Sequence, residues 1–266
     1  MRKILLELSY LGGAYAGFQV QKNAPTVQQT VQDALEALLS QRPPLTGCSR
    51  TDAGVHARRY YAAFPTESPI PVQRIPAALN FHLPKDISVL GACEVDEAFH
   101  PRYDALAKTY RYRIWLPASR NVFEAQTSFH HPRPVDLQAF VRLAPLFEGT
   151  HDFCGFAGSG GSVKSTVRTV YRCRAFEQEG MLTLEITGNG FLYNMVRAIV
   201  GTMVYASHGK LEPEDIPHLL ETGDRRLTGP TMPPQGLYLR RVWYEGDVGR
   251  MMREDCPDEA PGEAQT

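Results

Sequence analysis

The order of predicted elements runs through once and then repeats, and that repeat constrains the fold more than any single motif. "KILLELS" (3–9) has the composition of a strand. An amphipathic helix is predicted from Thr26. Thr26 and Gln29 form a capping box, and Val27, Val31, Leu35, Leu38 and Leu39 fall on one stripe. "YYAAFPT" (60–66) reads as a strand, "VQRIPAALNFHLP" (72–84) as a short helix and turn, and "ISVLGACEV" (87–95) as a further strand. The series then restarts. "KTYRYRIWL" (108–116) reads as a strand, and "VDLQAFVRLAPLFEG" (135–149) has helical spacing that Pro145 ends or kinks. "TVYRCRAFEQ" and "MLTLEITG" predict a hairpin around Glu179-Gly180. "NGFLYNMVRAIVGTMVYASHG" (189–209) predicts a strongly apolar helix, with Phe191, Met195, Ala198, Ile199 and Met203 on one side and Gly209 as its stop. "GLYLRRVWYE" closes as a strand.

Two rounds of β-α-β-(β)-α-β predict an α+β protein of two units, each with a sheet covered on one face by helices. The expected division is an N-terminal half over 1–100, a C-terminal half over 101–247, and an acidic tail over 248–266 too polar to fold. No Pro-, Gly- or Ser-rich linker separates the halves; the best boundary is "DEAFHPRYDALA", near residue 100.

Composition excludes several classes. Hydrophobic residues are 43% and charged residues 21% of the 266, which is ordinary for a globular chain. The longest apolar runs are too short to span a bilayer, and no signal peptide is recognisable. Five widely spaced cysteines without a C-x-x-C pair argue against a disulfide framework or a structural zinc site, and for a reducing cytoplasm. The net charge of -1 conceals an uneven distribution. Five of the 29 acids lie in "EDCPDEAPGEAQT" (254–266), so the body holds 24 acids against 28 basic residues. A body at +4 permits an RNA partner without requiring one.

Four segments concentrate chemistry. "GCSRTDAGVHA" (47–57) places Arg50, Asp52, Gly54 and His56 together. An extended backbone would put Arg50 and Asp52 on one face, where the guanidinium keeps the carboxylate ionised; the plainer alternative is a turn with an Asx cap. In "KTYRYRIW", Lys108, Tyr110 and Tyr112 face one way and Thr109, Arg111 and Arg113 the other, which suits base stacking and phosphate contact or a half-buried strand equally. Arg197, with Tyr193 four residues earlier, sits in the apolar helix, where a cation needs an anion or a route to solvent. "SGGSVKSTVRTVYRCR" (159–174) reads as a phosphate loop and strand or as a solvated edge. Nucleotide-loop, zinc-protease and hydrolase-elbow motifs are absent, and His56, His82, His100, His130 and His131 lack the tight pairing with Cys or acids that a metal needs.

Taken together, these segments resemble the tRNA pseudouridine synthases of the TruA type. "RTDAGVHA" (50–57) resembles the family signature. "LSYLGGAYAGFQVQKNAPTVQQTVQDAL", "ALNFHLPKDISV", "FHPRYDALAKTYRYRIW", "FLYNMVRAIVGTMV" and "QGLYL" resemble further family motifs, in the family's order, from about Leu6 to Tyr244. Phe18 stands where the family usually has Trp, and "RRYYAAF" replaces the usual residues after the signature.

The resemblance implies two ferredoxin-like halves joined into one mixed sheet, helices on one face, and an active-site cleft between the halves. It implies an isomerase that turns uridine into pseudouridine in the anticodon arm of tRNA, at tRNA positions 38 to 40, as a homodimer and without cofactor or metal. By the same resemblance Asp52 is the essential carboxylate, attacking uracil or ribose or taking a sugar proton. Arg197 pairs with it, Arg50 helps move the target nucleotide out of its stack, Tyr110 stacks on the base or takes the C5 proton, and Leu237 lines the uracil pocket. Gly54 is expected to let RNA approach, and His56 to orient the loop or touch RNA. Two other readings remain: a non-catalytic RNA-binding module of the same fold, and a hydrolase with Asp52 as nucleophile.

Overall fold

The computed structural model describes residues 1–158, 160 and 163–245. The tail expected over 248–266, Cys256 and Gly161 lie outside them. Among the described residues ten strands form one continuous sheet: β1 Arg2–Tyr10, β2 Thr46–Gly47, β3 His56–Thr66, β4 Ile87–Val95, β5 Ala107–Trp115, β6 Phe129–His130, β7 Gly149–Asp152, β8 Val167–Gln178, β9 Met181–Gly188 and β10 Leu237–Trp243. The helices are α1 Val27–Leu39, α2 Ile75–His82, α3 Leu137–Leu143, α4 Met195–Ser207 and α5 Asp215–Thr222.

The main path is β4-β1-β3-β10-β5-β9-β8-β7. Each half repeats one topology. In the first, β4-β1-β3 continues to the short β2; in the second, β10-β5-β9 continues to β8. Both therefore place their strands in the order fourth, first, third, second, as a ferredoxin-like β-α-β-β-α-β unit does. The halves are joined by β10. It pairs in parallel with β3 (Tyr238↔His56, Leu239↔Ala57) and antiparallel with β5 (Leu237↔Tyr112, Leu239↔Tyr110). α1 packs on α2 and α2 on β4, while α3 packs on α4 and β8, and α4 on β5.

Local sequence explains most of these elements. The Thr26 side chain accepts from the Gln29 N–H, and Val27, Val31, Ala34 and Leu35 are buried. Pro145 ends α3, and the chain continues as a 3-10 turn over Ala144–Phe147. Glu179 (φ 52°) and Gly180 (φ 82°) form the hairpin turn, both left-handed as a type I′ turn requires.

Two expectations are corrected. The apolar helix begins at Met195, not near 189, because Asn194 adopts φ 62° and breaks the helical path. Phe191 and Tyr193 therefore belong to the loop that enters α4, and Tyr193 does not share a helical stripe with Arg197. The helix is also buried on most sides, from Met195 to Ala206. The strand after the signature starts at His56 rather than Tyr60, so the signature runs directly into the sheet.

Candidate active site

Asp52 stands on a short loop that is fixed from three directions. Tyr10 Oη and Thr51 Oγ1 lie 2.8 Å apart, the Phe18 N–H donates to Thr51 O, and the Gly54 N–H donates to Tyr15 O. The Val55 N–H closes a β-turn onto Asp52 O, with Gly54 at φ 77° in its third position. A Cβ on Gly54 would lie 2.9 Å from Pro234 Cγ. Gly54 therefore serves the turn and close packing against the loop before β10, which is where its small size is used.

Arg197 comes from the first turn of α4 and is mostly buried. Its Nε donates to Met232 O and its Nη1 to Asn194 Oδ1, each at 2.6 Å. Nη1 also lies 3.8 Å from Asp52 Oδ2, an ion pair across the cleft. Burial raises the Asp52 carboxyl above its ordinary value; Arg197 and the Asn194 backbone N–H pull it back toward ionisation. The expected Arg50–Asp52 arrangement is not the one found. The chain turns at 52–55, Arg50 is exposed, and the cation facing Asp52 comes from α4.

Tyr110 is buried on β5, with Phe191 edge-on at 5.2 Å between centroids and Ser49 Oγ 3.3 Å from its hydroxyl. Burial pushes its phenol well above the ordinary range, so it rests protonated. Leu237 opens β10 next to Tyr112. Asp52, Arg50, Tyr110 and Leu237 line one cleft of about 1000 Å³. Arg197 meets this cleft through Asp52.

His56 is explained by its contacts. The buried ring accepts from the Gly12 N–H at Nδ1 (2.8 Å), and its Nε2–H donates to Gln235 O (3.1 Å). It is a neutral tie between the end of β1, β3 and the loop before β10, and burial lowers its pKa. Sequence reasoning missed Asn194, which touches both members of the ion pair. A lone Asn before an apolar helix reads as an ordinary cap, yet this side chain makes no cap bond.

Among the described residues no group of three or more His, Cys, Asp or Glu could hold a metal ion. No described helix is long and apolar enough to cross a membrane.

The sequence matches the family model for tRNA pseudouridine synthase over residues 8–104 and 143–245. The chain belongs to the tRNA pseudouridine synthase family. It is similar to tRNA pseudouridine synthase A of Ruminiclostridium cellulolyticum, at 44% identity over 92% of this chain and 100% of the relative. It is similar also to that of Citrifermentans bemidjiense, at 45% over 92% and 98%. Among solved structures it resembles a Cbf5-Nop10-Gar1 complex with a TM-score of 0.40 and 13% identity, covering 91% of this chain and 50% of that one. As a pseudouridine synthase, the chain is an isomerase.

Proposed function

We propose that this chain isomerises uridine to pseudouridine in the anticodon arm of tRNA, at positions 38 to 40, with Asp52 as the catalytic carboxylate. The observation that carries the reading is the Asp52–Arg197 pair at 3.8 Å in a cleft walled by Tyr110 and Leu237. The reaction breaks the bond from ribose C1′ to N1, turns the uracil, and joins C1′ to C5, which loses its proton while N1 gains one. Atoms and electrons balance within the nucleotide, so the protein has to supply only a base or nucleophile, a fixed ring and a dry space.

Asp52 is paired with a mostly buried cation, which favours its ionised form against the pull of burial. Its fixed loop points it at the flipped nucleotide, where it attacks base or ribose or takes a sugar proton. Tyr110 offers a ring face to the uracil and a neutral phenol beside Ser49, so it stacks and exchanges hydrogen bonds rather than resting as a phenolate. Leu237 keeps the rotating uracil from water. Arg50, exposed at the mouth, fills the gap left in the RNA stack when the target leaves it. A homodimer in a cytoplasmic setting completes the reading.

The test is tritium release from tRNA labelled at uridine C5. Wild type releases tritium; Asp52→Asn binds the same tRNA but loses turnover by roughly 10²- to 10⁴-fold or more. Binding by wild type without release would leave an RNA-binding module instead, and turnover by Asp52→Asn would remove Asp52 from the chemistry.

A further inference from the structure

Among the charged residues that line the cleft, Lys108 has no role in the chemistry above. Lys108 lies on β5, two residues before Tyr110 and on the same face, which places the two about 7 Å apart along the strand. It is only 9% exposed, and it lines the same cleft as Asp52 and Tyr110. Among the described residues its ammonium has no ion pair and no side-chain hydrogen bond. The groups that act on it are Arg102, also a cation, and Cys48, whose buried thiol is pushed up to about 11 and is therefore neutral at pH 7. Burial without an anion lowers the Lys108 pKa. The Lys108 stem is buried while its Nζ is not sealed from the cleft, so an anion entering there can reach the ammonium and supply the counter-charge it lacks.

Arg102 stands at the rim on a rigid turn. The Arg102 and Tyr103 N–H groups both donate to His100 Nδ1, and Tyr244 Oη ties the turn to the core through Pro101 O at 2.7 Å. Its guanidinium lies 5.7 Å from the ring of Tyr103, which is 74% exposed.

We propose that Lys108 and Arg102 together seat one backbone phosphate of the bound RNA, beside the Tyr110 ring. The phosphodiester is the anion that Lys108 lacks. This rests on the cleft being the RNA site, and it adds which residues hold the strand next to the turned-out nucleotide. Lys108 grips at depth and Arg102 closes from the rim, so the phosphate fixes how far the nucleotide enters.

The experiment measures the affinity of an unmodified tRNA transcript across a KCl series for wild type, Lys108→Met, Lys108→Arg and Arg102→Gln. Removing one cation from a phosphate lowers the slope of log K against log salt by about 0.7 to 0.9. Lys108→Met should show one such step and bind roughly tenfold more weakly. It should melt no lower than wild type, because the ammonium makes no ion pair within the protein and burial disfavours its charged form. Arg102→Gln should show a comparable step, and Lys108→Arg should keep the wild-type slope. An unchanged slope in Lys108→Met, with the fold intact, overturns the proposal. So does a slope in Lys108→Arg as low as in Lys108→Met. The isomerase reading is judged separately by tritium release in wild type: its failure there, with the salt steps intact, would leave the phosphate seat standing on an RNA-binding cleft.

Discussion

Arg197 Nη1 lies 3.8 Å from Asp52 Oδ2 while its Nε is tied to Met232 O, so the cation is positioned from behind before it meets the carboxylate. The pair joins the signature loop of the first half to α4 of the second. Its consequence is electrostatic: burial favours the neutral acid, and Arg197 opposes it.

Removing the cation should therefore move the acid limb of the pH–rate profile. In the proposed reaction Asp52 acts as the carboxylate, and without Arg197 its ionisation needs a higher pH. Arg197→Met should shift the acid limb of kcat/KM upward and lower activity far more than tRNA affinity. A limb at the wild-type position would mean that Arg197 does not control the charge of Asp52.

Asn194 should act as a positioning residue. Its Oδ1 holds Arg197, its backbone N–H faces Asp52, and its φ of 62° suits glycine. Asn194→Gly keeps the backbone and gives up only the side-chain grip; kcat should fall about tenfold, the loss of one hydrogen bond to a charged group. KM should hold steady and the acid limb should move up. Asn194→Ala should add a stability loss of about 1–2 kcal/mol from the left-handed backbone. Unchanged kcat and pH profile in the glycine variant would reduce Asn194 to a helix entry.

His56 should make the fold acid-sensitive. Its folded pKa lies below the ordinary 6.5, so its stabilisation is complete above about pH 6.5 and fades as pH falls toward the folded value. Urea unfolding of the protein should show that decline. His56→Phe should flatten this part of the curve and cost about 1–3 kcal/mol near neutrality, because the buried Gly12 N–H loses its acceptor. A variant as acid-sensitive as the parent would place the effect elsewhere.

Local chemistry made much of the fold legible. The Thr26 cap, the Glu179-Gly180 turn, the break at Pro145 and the alternation of Lys108, Tyr110 and Tyr112 all act within a few residues, where propensity and sterics decide. The short strands β2, β6 and β7 and helix α5 were not legible, since their two to eight residues carry too little periodicity. At the site, Asp52 and Arg197 stand out singly as charges that need explanation. Their meeting, and the service of Asn194 to both, depends on tertiary packing that no local pattern encodes. Nearness in sequence points to Arg50 as a charge partner for Asp52, whereas the cation that faces the carboxylate is Arg197 from α4, 145 residues further along the chain, and Arg50 stays exposed.

The place of β10 bears on how the molecule is made. The last of the ten strands to leave the ribosome is the one that fills the centre of the sheet, and it carries Leu237 into the cleft. Until it emerges, β3 and β5 each have an open flank in the middle of the sheet, a hazard for pairing with neighbouring chains. A nascent chain therefore has its signature aspartate early and its finished cleft only late. Translation stalled before residue 237 yields a product whose cleft lacks its Leu237 wall, and the finished cleft and the closed sheet arrive in a single step.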